Sequence, residues 1–530
     1  MTARTLTFGG TSYPLVLPST RDPRLHVASV IITIHVLGQV ALGFQVSVPQ
    51  ILAAILTCAV IEVALTFRTS RSFVWPASAM LTGSGVALIL RVVGTPPGDH
   101  WTFYAWYVFA GVAGLSLLTK YVIRYRGSHV FNPSNIGLVV AFVVLGTSRV
   151  EPLDFWWAPL AIPMIAAYAV IITGGLLITR RLHLLALGAT FWVALAIGVS
   201  ILAGSGHCMT TRWAFEPVCG VDFVQVIVTS PEVLIFLFFM MTDPKTVPAG
   251  RVGRVMFGFL VAVASTLLMA PQTDEFGTKV GLLAGLVVVC AARPILDRFL
   301  PEPRSAADTL GRFGRRLVDG GDGGTGVLRR PVRVGLIGAG LLLMGASIVA
   351  AGAPARGIAA PDITEILNRV PHAVDPATFP TISVGVDVTT WDHTISGPGA
   401  QAILLTLAEN LQIENQALLR GDPTILPSVD HGDRLIQMQA QLQTAVASGT
   451  IVIDAYHFDT VTVSLLVPFG RQAGLSLAFN AKGTLTEQTY NAAGVLQGTQ
   501  TSLFAQTFVM SRPIGTRWLN VAVLAYGASR

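Results

Sequence analysis

Residues 234–254 read LIFLFFMMTDPKTVPAGRVGR. The apolar run 234–241 suits hydrocarbon, whereas Asp243, Lys245, Arg251 and Arg254 do not. The change of character falls at Thr242-Asp243-Pro244-Lys245, so a membrane helix meets water there. Pro244 has no amide hydrogen and biases Asp243 away from helical geometry, which builds the break into the sequence.

The rest of the chain has the same character. Of its 530 residues, 52% are hydrophobic and 12% charged, and the mean hydropathy is +0.63, as in a membrane protein. The net charge of +6 does not signal nucleic-acid binding, because the Lys and Arg residues lie between apolar segments, where they set topology. Residues 1–25 are polar, include Pro14 and Pro18, and lack the apolar core of a cleavable signal peptide. Stretches long enough to cross a bilayer follow at about 26–44, 48–67, 73–93, 101–121, 132–147, 155–178, 184–204, 222–242, 253–271, 277–297 and 334–353. The fifth is short and opens on Asn132-Pro133, as a re-entrant or broken helix would.

Positive charge marks alternate connections: Arg68 and Arg71; Lys120, Arg124 and Arg126; Arg180 and Arg181; Lys245, Arg251 and Arg254; Arg298 and Arg304. The positive-inside rule then divides the chain. It predicts a cytoplasmic N-terminus at 1–25, a ten-span domain at 26–298, a Gly/Arg-rich cytoplasmic linker at 299–333, an additional span at 334–353 and an extracytoplasmic domain at 354–530. The linker combines the flexible Gly320-Gly321-Asp322-Gly323-Gly324 with arginines such as Arg312, Arg315 and Arg316 that suit an anionic inner leaflet. In the last domain, amphipathic helices at 404–419 and 434–446 precede β-rich runs at 450–467, 473–486, 500–511 and 517–525, with Gly515 placed for a hairpin. The expected fold class is therefore a polytopic α-helical protein of the cytoplasmic membrane, about ten plus one spans, with a C-terminal extracytoplasmic α+β domain.

Ionisable groups inside spans are costly and mark candidate paths. Glu62, Glu232 and the pair His35 and Gln39, one turn apart, fall in such positions, while Arg91 closes the third span and is expected to snorkel. The densest polar cluster at membrane depth is 125–135, where Ser134 and Asn135 are placed to cap a helix whose free amides, with Arg124, Arg126 and His129 beside them, suit an anionic group. Thr82-Gly83-Ser84-Gly85 reads first as close helix packing. Asp243 and Lys245 read either as a charge pair at the cytoplasmic mouth or as ordinary flanking charges. Cys208 and Cys219 share one outer loop, where an oxidising compartment permits a disulfide contributing about 3 kcal/mol. His457 and Asp459 read as a solvated strand face. No nucleophile elbow, phosphate-binding loop or zinc-ligand spacing occurs, so neither a catalytic residue nor a metal ligand is assigned.

Three ordered segments carry a resemblance to the NqrB/RnfD membrane-protein family. Met241-Thr242-Asp243-Pro244 resembles a segment of NqrB, from the sodium-pumping NADH:quinone reductase, and of RnfD, from the Rnf complex. Phe131-Asn132-Pro133-Ser134-Asn135 is similar to the Phe-Asn-Pro segment of RnfD, and Phe276-Gly277 precedes an apolar helix ending in Arg293-Pro294-Ile295-Leu296-Asp297. The likeness covers about residues 25–300. It implies a membrane component of a flavin-linked, ion-coupled electron-transport complex, with other membrane or redox subunits and the bilayer as partners. It also implies FMN or riboflavin near Arg124, Arg126, Ser128, His129, Asn132, Ser134, Asn135, Thr242, Asp243 and Lys245. The family's covalent flavin site is a threonine in a Ser-Gly-Ala-Thr-type motif; Glu151-Pro152-Leu153-Asp154-Phe155-Trp156-Trp157 stands in the corresponding loop, so the flavin is expected to be non-covalent. Membrane proteins encoded with enediyne polyketide pathways resemble the same family, which keeps export of a small metabolite or biosynthetic product as the alternative. A scaffold recruiting a partner through the outer domain is the third reading. The C-terminal order of helices and strands resembles nuclear-transport-factor-2-like domains.

Overall fold

The computed structural model describes the chain except residues 1, 9–10, 21, 97–98, 154–161, 212–213, 215–216, 320–329, 358–362, 467–475, 513–516 and 528–530. The glycine run at 320–324, the turn at Gly515, the start of the sixth stretch and the loop residues 154–157 lie outside the described residues. By its contacts the chain divides into two units, and Val218–Ile358 and Ala359–Arg530 fall on either side of the boundary.

In the first unit, α1 (Pro23–Leu37), α2 (Val48–Ser70), α3 (Ala77–Ile89), α4 (Trp106–Val122) and α5 (Pro133–Leu145) are followed by α6 (Ile162–Arg181) and α7 (Leu185–Gly204). Next come α8 (Gly220–Thr229), α9 (Pro231–Ile235), α10 (Arg251–Met269), α11 (Glu275–Phe299), α12 (Leu310–Asp319) and α13 (Arg330–Ala351). Among the described residues, eight candidate spans are long and apolar enough to cross a membrane; α3, α4 and α5 are shorter apolar helices. The chain is thus a polytopic helical membrane protein.

Helix starts follow local chemistry. Asp22, Ser47, Asn132 and Ser230 each cap a helix with proline in its first turn, where the missing amide costs nothing. The eighth stretch is one span by composition but is broken. Ser230-Pro231 separates α8 from α9, and Phe236–Met240 then widens into a π-helix.

Helices α3 and α5 have 13 residues each. At about 1.5 Å per residue they rise about 20 Å, short of a hydrocarbon core of roughly 30 Å. Each is followed by extended chain, β4 (Leu90–Val92) after α3 and β7 (Val150–Pro152) after α5, and the two strands pair antiparallel, fully buried. Backbone pairing inside protein satisfies the groups that helix would have satisfied. Two halves of the unit show matching packing. α2 packs on α3 and α4, and α4 on α5; likewise α7 packs on α8 and α10, and α10 on α11, while α1 meets α6 and α5 meets α11.

Residues 1–25 are not featureless. β1 (Thr2–Phe8) and β2 (Thr11–Leu17) form a hairpin, and β2 pairs in parallel with β3 (Phe73–Val74), with Tyr13, Phe67 and Phe73 in ring contact.

The second unit holds α14 (Ile363–Arg369), α15 (Val386–Trp391), α16 (Pro398–Arg420) and α17 (Gly432–Ser448) beside a sheet. Its order is β10 (Ile382–Val384), β11 (Thr450–Leu466), β12 (Ser476–Asn491), β13 (Leu496–Ser511) and β14 (Leu519–Ala525), with β10 parallel to β11 and the other pairs antiparallel. Leu404, Leu407 and Leu411 of α16 meet Phe458, Phe479 and Phe508 of the sheet in one core.

Candidate functional site

Residues 128–135 and 242–245 come together. Strands β5 (Arg124–Tyr125) and β6 (Ser128–His129) make a hairpin whose turn residues Arg126 and Gly127 have φ of 48° and 81°, the left-handed pair of a tight two-residue turn. The hairpin delivers His129 to the start of α5. There His129 Nε2 lies 2.8 Å from Asp243 Oδ2, and Asn132 Nδ2 donates to the Met240 carbonyl at 3.0 Å. Pro244 ends the preceding helix, which leaves that carbonyl open to a side chain.

Two details, at the cap of α5 and at Arg91, depart from expectation, and a third, at Asp243, decides between two readings. The cap of α5 is Asn132, not Ser134 or Asn135, because Pro133 takes the first helical position. Asn132 Oδ1 accepts from Asn135 N at 3.2 Å and Ser134 Oγ at 2.8 Å. Asp243 does not pair with the Lys245 ammonium; its carboxylate takes His129 and the Lys245 backbone amide, at 3.0 Å, as the turn after Asp243 dictates. Arg91 does not snorkel. The β4–β7 register sets it opposite Glu151, and the two buried side chains pair at 3.3 Å.

Arg293, which the sequence places in a motif without a role, donates from Nη1 to the Lys245 and Thr246 carbonyls at 2.9 and 2.7 Å. It therefore fastens the loop that carries Asp243. Arg126, exposed over the Tyr125 ring, reaches Asp297 at 3.6 Å.

The intramembrane polar residues each have a partner of their own. Glu62 of α2 receives the Lys120 ammonium at 3.1 Å and the Tyr121 hydroxyl, both from α4. Glu232 of α9 pairs with Lys279 of α11 at 3.2 Å, and Lys279 also meets Glu275 at 2.7 Å. His35 Nε2 faces Ser84 Oγ at 3.2 Å, whereas Gln39, in the π-helical turn Gly38–Leu42 that continues α1, meets His100 Nδ1 at 2.8 Å, so the two neighbours serve different partners. The sequence counts Lys120 with a connection and marks no role for Lys279. The signal that finds them is the rule that a carboxylate at membrane depth carries a cation with it.

Cys208 and Cys219 are joined by a disulfide across the short pair β8 (Cys208–Met209) and β9 (Val218–Cys219). His457 and Asp459 stand exposed on β11, at a bulge, 3.7 Å apart. Among the described residues no group of His, Cys, Asp and Glu could hold a metal ion.

The site is compatible with a flavin in specific respects. Arg124, Arg126 and Lys245 are exposed cations at its rim, able to meet phosphate or an electron-rich ring edge. Asn135 is buried, its Nδ2 donates to the Leu283 carbonyl at 3.0 Å, and its Oδ1 has no hydrogen-bond partner, which leaves an acceptor for an N–H. Elsewhere in the cluster Ser134 is bonded to Asn132 and His129 to Asp243, while the Thr242 hydroxyl donates to the Phe238 carbonyl.

Comparison with known proteins agrees with the membrane architecture. No protein-family model matches the chain. The D subunit of the ion-translocating oxidoreductase complex of Salmonella arizonae is 25% identical over 281 residues, covering 42% of this chain and 75% of that protein. The D subunit of the same complex in Escherichia fergusonii is 25% identical over 279 residues, with the same coverage. That of Salmonella newport is 25% identical over 313 residues, covering 47% and 84%. The chain is a multi-pass membrane protein with a distant resemblance to these proteins over somewhat less than half its length.

Proposed function

We propose that this chain is the membrane component of a flavin-linked electron-transport complex of the cell membrane, working beside other membrane or redox subunits. The observation that carries the reading is the junction of its two motif segments through His129–Asp243 and Asn132–Met240. Two sequence stretches 108 and 114 residues apart thus make one polar site at the broken ends of two spans. The name of the distant relatives, which places them in an ion-translocating oxidoreductase complex, supports the same reading.

FMN or riboflavin, held without a covalent bond, would supply one- and two-electron chemistry there. Arg124, Arg126 and Lys245 would bind its anionic or electron-rich parts, and Asn135 Oδ1 would accept a ring N–H. His129 Nε2 and Asp243 Oδ2 form a short line along which one proton is held or passed. Arg293 keeps Asp243 in place through the backbone of its loop. Lys279, between Glu232 and Glu275, is the second charged focus, and a coupled ion or proton would be handled there.

The test is occupancy. Purified protein should carry a chromophore with a flavin spectrum, and acid precipitation should release it to the supernatant. Asn132→Ala and Asp243→Ala should each lower flavin per folded chain by several-fold; unchanged occupancy in both moves the site elsewhere.

The broken spans favour a second reading. Interrupted helices with charged groups at the break are how transporters bind solutes, and α8–α9 carries Glu232 two residues after its break. A colourless protein that moves a small metabolite across vesicles would establish that reading and exclude the first. For the C-terminal unit we propose a docking role, which the layering of α16 on the sheet and its resemblance to nuclear-transport-factor-2-like domains support.

A further inference from the structure

The segment between α11 and α13 contains a helix whose exposure protein contacts do not explain. α12 has the sequence Leu310-Gly311-Arg312-Phe313-Gly314-Arg315-Arg316-Leu317-Val318-Asp319. At 100° per residue, Leu310, Phe313, Leu317 and Val318 fall on one arc. Arg312, Arg315, Arg316 and Asp319 fall on the opposite one. Leu310 and Leu317 are 54% and 50% exposed, and all three arginines are exposed. In water such an apolar face is unfavourable, and no residue of α12 is buried.

The position of α12 says what covers it. The preceding residues are fixed: the Asp308 carboxylate accepts the backbone amides of Arg251 and Val252, each at 3.0 Å, and of Arg304 at 3.1 Å. Those first two amides belong to the opening turn of α10, so the chain is tied to the end of a membrane span two residues before α12 begins. α12 contacts α10 and α13 and follows α11, all three being candidate spans. A helix held between the ends of spans lies at the level where hydrocarbon meets headgroups. There an apolar face enters acyl chains and an arginine face meets phosphate.

We propose that α12 is an interfacial helix that binds anionic phospholipid, with Leu310, Phe313 and Leu317 in the acyl region and Arg312, Arg315 and Arg316 on headgroup phosphates. The charge of the helix selects the lipid: three cations against one carboxylate within ten residues favour an acidic membrane surface over a zwitterionic one. Arginine also suits phosphate geometrically, because its planar donors match two oxygens at once. The proposal does not depend on electron transport or solute transport.

Full-length protein in lipid nanodiscs tests it. A nitroxide is placed at Leu317→Cys, or at Arg315→Cys on the opposite arc; Cys58 and Cys290 are buried and Cys208 and Cys219 are bonded to each other. In phosphatidylcholine containing phosphatidylglycerol, the Leu317→Cys label should be relaxed by oxygen and shielded from a water-soluble nickel chelate, with the reverse at Arg315→Cys. Pure phosphatidylcholine should shift the Leu317→Cys label toward water. Combining it with Arg312→Gln and Arg316→Gln should lower the docked-to-undocked ratio by about fivefold per arginine removed. The corresponding Lys variants should retain the preference for phosphatidylglycerol. A Leu317→Cys label that stays in water in the anionic discs overturns the proposal. So does a label embedded equally in both lipids and indifferent to the arginine substitutions, since anionic recognition is then absent.

Discussion

Asp430 in the C-terminal unit is 1% exposed and lies beside Glu414, itself 2% exposed. Glu414 receives Arg434 Nε at 3.0 Å and Asn520 Nδ2 at 2.8 Å. Burial pushes the Glu414 carboxyl up, but the Arg434 charge and its hydrogen bonds outweigh that and hold it below the usual range. For Asp430 the balance is reversed. Burial and the Glu414 charge outweigh the pull of Arg434 and hold it well above the ordinary aspartate range. A raised folded-state pKa means that the folded form binds the proton more tightly than the unfolded one. Its contribution is fully present below the unfolded value of about 4 and is lost as pH rises through the folded value. Within that window the unit should lose up to about 1.4 kcal/mol per pH unit. Asp430→Asn, which cannot ionise and still offers donors to Glu414, should flatten the slope and make the unit more stable than wild type at neutral pH. Hydrogen exchange of β12 and β13 in the full chain, corrected for intrinsic rates between pH 5 and 8, measures it; an unchanged slope in the variant refutes the assignment. At this scale the sequence was legible where residue type and local motif coincide. Asn132 and Asp243 stand beside prolines that mark helix ends. Arg91 was misjudged because its fate depends on strand register, which sets Glu151 opposite it and which local sequence does not encode.

Helix α3 shows what an element requires of its neighbours. A Cβ on Gly83 would sit 2.4 Å from the Ala54 carbonyl oxygen of α2, and backbone cannot yield as a side-chain tip would. Gly83→Ala should therefore destabilise the membrane unit by about 1–3 kcal/mol, whereas Gly111→Ala on α4, where nothing lies within 4 Å, should be near neutral. Thermal unfolding of both variants in detergent compares them directly; equal midpoints would show that α2 and α3 separate at little cost. Reading Thr82-Gly83-Ser84-Gly85 as a packing surface came from residue size alone. The long helices were legible for a similar reason, since length and hydropathy are properties of one segment. The eleven apolar stretches correspond to the eight long candidate spans and the three shorter helices. Elements that need a distant partner were not legible. The hairpin β1–β2 alternates only briefly, at Leu6 and Phe8 and at Tyr13, Leu15 and Leu17, and β10 has three residues; each is completed by a strand far along the chain, β3 and β11. The broken eighth span was partly written in Ser230-Pro231, but the π-helix after it carries no residue signal of that kind.

For the whole molecule, the sidedness of the two ends follows from parity. Between the Cys208–Cys219 loop and residue 359 lie four candidate spans: the one containing α8 and α9, then α10, α11 and α13. Four crossings return a chain to the side it started from, so the disulfide loop and the C-terminal unit should share a compartment whichever way the protein is inserted. α12 follows three of those crossings and should lie on the other side, with the arginines of the connecting segments. The positive-inside rule then assigns α12 to the cytoplasm and the disulfide and C-terminal unit to the outside, an oxidising compartment in which the bond persists. Two measurements test the scheme independently. Mass spectrometry of non-reduced membranes should find Cys208 and Cys219 linked, and alkaline phosphatase fused after Arg530 should be active while a green fluorescent protein fusion stays dark. A linked pair with an inactive phosphatase would break the parity itself. One of the four helices would then not cross, and α13, with only 6% of its apolar window buried, would be the first to re-examine.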